Sequence, residues 1–267
     1  MDNEPINQND SLDFTDIIRG GIKLAQANLG TIIKAVIVPY LFLLGLIVGV
    51  LLFMVLLSSG AAGSDFGSQF DSFSIGAADI GSLITLGGFL LILFLFVAYV
   101  LVRIQAGLSR VLLQSYRKKQ KYTFRQVWTT GKNYWGPMVV VSFLVGLVVI
   151  AGLVALVIPG IIAIFLLVLA PIAVVDNFKG VDALRRSKDL VKGNLSVVFV
   201  LIVIYFALSA VPSIFGDSSA ADALSFVISL SLSVVSPAIL VVLYESLAVE
   251  AASNSLEQPS HQDSNAS

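Results

Sequence analysis

Five stretches of this chain contain no Asp, Glu, Lys or Arg. They lie between Lys34 and Asp65, Asp79 and Arg103, Lys132 and Asp176, Lys192 and Asp217, and Asp222 and Glu245, and are 30, 23, 43, 24 and 22 residues long. Crossing roughly 30 Å of hydrocarbon at about 1.5 Å per residue takes about 20 apolar residues. Four stretches therefore suit one membrane-spanning helix each, and the 43-residue stretch suits two. Pro159 and Gly160 sit in its middle, in LVALVIPGIIAIF, and read as the hairpin between the two spans. The expected spans are 32–57, 81–103, 136–158, 161–176, 195–215 and 224–246. Composition agrees: 57% of the 267 residues are hydrophobic and 12% are charged. A soluble domain carries about 25% charged residues. A water-soluble fold and an intrinsically disordered chain are both excluded on that balance.

Position sorts the remaining charges by sign. All 16 basic residues fall in the N-terminal segment (Arg19, Lys23, Lys34) and in the connections 103–135 and 177–193. The alternate connections, 58–80, 159–160 and 216–223, carry only Asp65, Asp71, Asp79, Asp217 and Asp222. The positive-inside rule puts the basic side and both termini in the cytoplasm, as in a multi-pass protein of a prokaryotic inner membrane. Residues 1–13 are polar and lack the apolar core of a signal peptide. The expected domains are a disordered tail over 1–13, a membrane domain over 14–250 and a disordered tail over 251–267. In the loop 59–78, Phe66, Phe70 and Phe73 are candidates to dip into the interface.

A short amphipathic stretch precedes each odd-numbered span. In the first, Phe14, Ile18, Ile22, Ala25 and Leu29 recur at helical spacing. The second, 123–132, opens with Thr123 and Gln126 at capping-box spacing, and Phe124, Val127 and Trp128 form its apolar side. In the third, Val181, Leu184, Val191 and Leu195 line one side. Helices of this kind lie in the headgroup plane. IRGGIKLAQANLGTII and LRRSKDLVKGNLSVVF align without a gap, pairing Arg19 with Arg185 and Asn28 with Asn194. The expected architecture is an all-α integral membrane protein of six transmembrane helices, in three repeats of an interfacial helix plus a two-span hairpin.

The runs PGIIAIF, APIAVVDN and GVDALRRSKDLVKGN carry a resemblance over about 159–200. They combine an acidic residue, a glycine, an Ala-Leu-x-x-Ser and a Gly-Asn before a span. The chain resembles the membrane domain attached to some bacterial glycerophosphoryl diester phosphodiesterases, and a group of uncharacterised six-span prokaryotic membrane proteins. The resemblance implies a membrane module without catalysis of its own. The phosphodiesterase domain of the fused enzymes has no counterpart in this sequence, so no enzymatic activity is carried over.

Chemistry-bearing residues are sparse. The chain has no cysteine and one histidine, His261 in the C-terminal tail, so no metal site or cofactor is expected. GKN at 131–133 lacks the context of a phosphate loop. The spans hold no ionisable residue at depth, which argues against proton-coupled transport. Arg19, Lys23, Lys118, Lys119, Arg125, Arg185 and Arg186 are candidate contacts for anionic lipid headgroups. Ser225, Ser229, Ser233 and Ser236 form a stripe suited to helix packing or to a polar pathway, and Gly45 and Gly49 form a GxxxG pair. Pro39, Pro171 and Pro237 are candidate kinks.

These features favour a non-enzymatic membrane protein that binds or organises lipids, or scaffolds partner proteins, through a basic cytoplasmic face. Its partners would be anionic lipids, another membrane protein or a second copy, and not nucleic acid. The alternative is a transporter or channel for a small or lipidic substrate. The topology is testable with a reporter active only outside the cytoplasm: fused after Gly67 it should be active, and fused after Gln120 inactive.

Overall fold

A span in hydrocarbon must satisfy every backbone polar group internally, which leaves helices or a closed barrel. The computed structural model describes residues 14–60, 77–155, 157–211, 214 and 219–257, and among them every regular element is a helix or helical turn. In chain order these are α1 (Phe14–Ala27), α2 (Leu29–Gly60), α3 (Ala77–Lys118), α4 (Phe124–Ala155), α5 (Val157–Leu167), α6 (Ala170–Val175), α7 (Val181–Gly193), α8 (Leu195–Ala210) and α9 (Ser219–Glu257). Five segments are long and apolar enough to cross a membrane: one each in α2, α3, α4 and α9, and one over Ile158–Val175. α8 has 16 residues and falls short of a full crossing on its own. Together with α7 it passes, but the pair is bent by 99°. Tails 1–13 and 258–267 and the loop residues Phe66, Phe70 and Phe73 lie outside the described residues.

The helices differ from the sequence-based expectation at four places. First, the basic connection 103–135 is almost entirely helical. α3 continues to Lys118, and α4 passes from its amphipathic start into its apolar length without a break. The reason is local: Val111, Leu112, Leu113 and Ser115 are buried on the continuing helix, so its extension is packed rather than solvated. Second, Pro159 and Gly160, expected to form the hairpin, lie within α5, which starts at Val157. Pro159 instead occupies the first turn of α5, where a missing N–H costs nothing. Gly160 lies against Leu153 and Gly152 across the hairpin, where a Cβ would be 2.6 Å from Leu153 Cγ. Third, α9 runs on to Glu257, so 251–257 is helix rather than disordered tail.

Fourth, α1 and α7 bury different faces from those their apolar spacing suggests. α1 buries Ile17, Gly21, Leu24 and Ala25, while Ile22 and Leu29 stay exposed. Gly21 is the cause: a Cβ there would lie 2.9 Å from the Ile239 Cα, so α1 sits directly on the α9 backbone. In α7 the buried set is Ala183, Ser187, Leu190 and Val191, with Val181 exposed. Small residues allow close approach, and close approach yields more van der Waals contact than a bulkier face would.

The same rule sets the most extensive helix pair, α3 on α4. A Cβ on Gly107 would collide with the Val127 carbonyl oxygen, and one on Gly131 with that of Arg103. The two glycines interlock. The joints before α2 and α8 are made by Asn28 and Asn194. Asn28 Nδ2 donates to the Leu24 carbonyl (3.1 Å) and to Ser115 Oγ of α3 (2.9 Å), whereas Asn194 Nδ2 donates to Glu250 Oε2 of α9 (2.9 Å).

The core occupies one end of the bundle. Its buried members are drawn from Ile17–Ala35, Val100–Leu113, Val127–Val141, Leu167–Val198 and Val234–Leu247 as stretches of chain, with Ala221 as an outlier. Over 37–51, 91–96, 143–164 and 199–208, large apolar side chains face outward. The molecule is thus a packed base from which apolar helices project, as expected where lipid covers the projections. Gly107→Ala and Gly131→Ala should each destabilise by about 1–3 kcal/mol through overpacking. Gly45→Ala and Gly49→Ala, with nothing within 4 Å of either Cβ position, should leave the detergent melting temperature of the monomer unchanged.

Candidate functional site

Arg103, Arg110 and Arg117 repeat every seven residues along α3. Two helical turns separate each pair, so all three share one face. Each is drawn into the base. Arg103 donates from Nε to the Trp128 carbonyl (3.2 Å) and from Nη1 to Tyr99 Oη (2.9 Å), and its guanidinium lies 4.1 Å from the Trp128 ring centroid. Arg110 Nη1 donates to the Val175 carbonyl at 2.6 Å, at the C-terminus of α6. That is where a cation complements the helix dipole.

Arg117 completes the series. Its Nη1 and Nη2 donate to the two oxygens of Asp176 at 2.6 and 3.1 Å, and its Nε donates to Glu245 Oε1 at 2.8 Å. Tyr244 Oη, from a fully buried side chain, donates to Asp176 Oδ2 at 2.9 Å. Arg110 lies 4.0 Å from Asp176 Oδ1. Two cations and two carboxylates therefore neutralise one another across α3, the end of α6 and α9. The Asp176 side chain is 16% exposed and that of Arg117 40%. A bidentate, charge-assisted pair of this kind holds geometry as well as charge. Its atoms are occupied by one another, so the cluster acts as a clamp.

The segment carrying the sequence resemblance builds the elbow beside this clamp. Asp176 caps α6 and Asn177 follows in the left-handed region at φ 76°. Phe178 N donates back to the Ala173 carbonyl and Asn177 N to that of Val174, which is a Schellman closure. Gly180, at φ 51°, leads into α7. Pro171 lies at the start of α6, just after the break that separates α6 from α5. Ser187, wholly buried on α7, patches that break: its Oγ donates to the Leu166 carbonyl (2.7 Å) and accepts from Leu169 N (3.2 Å). Asn194 then turns the chain into α8. Asp176, Gly180, Ser187 and Asn194 of the motif thus each have a bond or a backbone conformation to account for them.

The candidate headgroup residues divide. Arg19, Lys23, Lys118, Lys119, Arg125 and Arg185 are exposed. Arg186 turns inward, half-buried, with its guanidinium 5.7 Å from the Phe178 ring centroid. The serine stripe does not converge on a cavity lining: Ser233 Oγ bonds the Leu230 carbonyl of its own helix, Ser229 is exposed, and Ser225 and Ser236 are half-buried. Gly45 and Gly49 face open space, and Pro237 lies inside α9. Among the described residues no three His, Asp or Glu come together as metal ligands. Ser187 lies in the Ala-Leu-x-x-Ser run of the resemblance, whereas the arginine stripe, Tyr244 and the interlocked glycines have no motif in the sequence. The seven-residue arginine spacing was the available signal, but it has meaning only if α3 continues past the apolar span.

A family model described as a domain of unknown function (DUF7847) matches residues 131–254, from within α4 to near the end of α9. Comparison with curated proteins and with solved structures gives no match.

Breaking a buried pair leaves its partner uncompensated, at about 3–5 kcal/mol. Asp176→Ala should cost an amount toward the lower end of that range, because Arg117 is partly exposed. Pairing it with Arg117→Met should recover part of the loss, as read by thermal unfolding of the detergent-solubilised chain.

Proposed function

We propose that this chain is a non-enzymatic, six-span membrane module that organises anionic lipid around a basic cytoplasmic face. One observation carries the reading. After α1 and α7 have buried their small-residue faces in the bundle, their outward faces still combine apolar and basic side chains. Exposed on α1 are Arg19, Ile22 and Lys23, with Asp16 3.9 Å from Arg19 and Leu29 following at the start of α2; exposed on α7 are Val181, Arg185, Lys188 and Lys192, beside Asp182 and Asp189, followed by Leu195. An apolar edge beside a cationic edge suits the boundary between acyl chains and headgroups.

Three further observations support it. Asn28 and Asn194, paired in the gapless alignment, both interrupt the helix at the same joint and both tether it to a long helix. This favours the repeat of interfacial helix and two-span hairpin, with the second copy running through α4 unbroken. Asp176, Gly180, Ser187 and Asn194, in the runs that carry the resemblance, hold the elbow together, which favours a structural role for those runs. Ser233 bonds within its own helix, which favours packing over a polar transport path.

The test is the lipid retained by full-length protein extracted gently and measured by native mass spectrometry. Each basic residue near an anionic surface contributes about 1 kcal/mol. Reversing Arg19, Lys23, Arg185 and Lys188 to Glu should therefore lower retained anionic lipid at least tenfold, with a salt-dependent loss in the wild type. Identical lipid in wild type and variant overturns the reading.

A further inference from the structure

Beside the basic side chains, the same end of the molecule carries a cleft. It has a volume of about 260 Å3 and lies between the α1–α2 joint and the turn joining α3 to α4. Lys34 lines one wall, and Lys121 with Tyr122 the other. No lining residue is acidic. Both lysines are exposed, and among the described residues neither has a carboxylate within ion-pair distance. Among the described residues their cationic heads are uncompensated.

The backbone adds to this field. The first turns of α2 and α4 both open on the cleft, through Gly30 and Thr31 on one side and Thr123 and Phe124 on the other. The Thr31 and Thr123 N–H groups are already bonded, to the Asn28 carbonyl and to Gln126 Oε1, so what these ends add is the positive end of each helix dipole. The walls are pinned. Thr31 Oγ1 donates to the Tyr122 carbonyl at 2.5 Å, and Ser115 Oγ donates to the Gln120 carbonyl at 2.7 Å. Gln126 Oε1 accepts from Thr123 N at 2.7 Å and holds the start of α4. The cleft is thus built before any ligand arrives.

Its floor supplies an independent observation. Asn28 is 3% exposed and spends both Nδ2 hydrogens, on the Leu24 carbonyl and on Ser115 Oγ. The orientation of this amide follows from Ser115, whose hydroxyl hydrogen goes to Gln120 and which must therefore accept from Asn28. Asn28 Oδ1 is left as a buried acceptor with no donor. An unsatisfied buried acceptor costs about 1–3 kcal/mol. The cationic walls of the cleft match an anion.

We propose that this cleft binds a phosphate ester, with Lys34 and Lys121 on its oxyanion and the helix ends of α2 and α4 facing it. The inference rests on the lipid reading above and gives it a specific pocket. Lys34 is the last charged residue before the first apolar span, so the cleft sits at the depth where lipid phosphates lie. A headgroup phosphate and a free phosphate share this chemistry, and the experiment separates them.

The full chain in neutral maltoside is titrated with three probes: dihexanoyl phosphatidylglycerol, dihexanoyl phosphatidylcholine and inorganic phosphate. Binding to the folded state raises the melting temperature in a saturable way. Two variants are compared with wild type. Lys34→Gln with Lys121→Gln removes the charge at exposed positions. Gly30→Leu keeps both charges and fills the cleft, since a Cβ at Gly30 meets nothing within 4 Å. The expected result is a saturable response of the wild type to phosphatidylglycerol, with apparent affinity at least tenfold weaker in both variants and no comparable response to phosphatidylcholine. A response to inorganic phosphate that both variants lose equally supports the cleft and assigns it to free phosphate. Equal titrations in wild type and both variants, or no saturable response to any probe, overturn the proposal. If the cleft variants retain anionic lipid while the Arg19, Lys23, Arg185 and Lys188 reversal loses it, the cleft fails and the lipid reading stands. If none of them changes retained lipid, both fail.

Discussion

The Arg117 guanidinium joins three parts of the chain that are far apart in sequence: its own helix, Asp176 at the end of α6, and Glu245 on α9. Two carboxylates buried at that end of the bundle would be costly without cations beside them. Arg117 and Arg110 supply the charge, and Tyr244 supplies one more donor. Because Asp176 also caps α6, the clamp fixes where the broken fourth span ends and where α7 begins. The positions of α7 and α8 follow from it. The ion cluster therefore holds the packed base, from which helices long and apolar enough to cross a membrane project.

Close backbone approach is the second constraint. Gly107 against Gly131, Gly21 against Ile239, and Gly152 against Gly160 each permit helices to meet where a larger side chain would collide. In lipid the hydrophobic effect does not press helices together, so contact area and polar ties must do it. This accounts for the rotation of α1 away from its apolar spacing. Gly21 gains contact by meeting α9 at Ile239, which leaves Ile22 and Leu29 outward. The outward residues are then free to face the interface beside Arg19 and Lys23.

Much of the fold was legible because the relevant signals were local. Charge-free length marks the long apolar helices, and the sign of the intervening charges marks one basic end. The Thr123 and Gln126 spacing marks the start of α4, and the paired Asn28 and Asn194 mark two joints. The basic connection was misread for a physical reason. Arg103, Arg110 and Arg117 look like topology signals when counted as loop charges, yet Arg103 and Arg110 are half-buried against carbonyls and an aromatic ring, and Arg117, though partly exposed, is held by carboxylates. A charge count cannot tell a solvated arginine from a buried one, because the partners are supplied by other helices.

By itself, the sequence determined where backbone must be helical and apolar, since a charge-free run in hydrocarbon has few other ways to satisfy its amides. It also determined that no cysteine or converging histidine chemistry is present. Tertiary structure decided which face each helix buries, because that depends on the size of residues on the neighbouring helix rather than on hydrophobic spacing. It also decided which basic residues remain outward and which form the clamp. The cleft walled by Lys34 and Lys121 belongs to that second category: it exists only because Thr31 holds the turn at Tyr122, a bond between segments 91 residues apart.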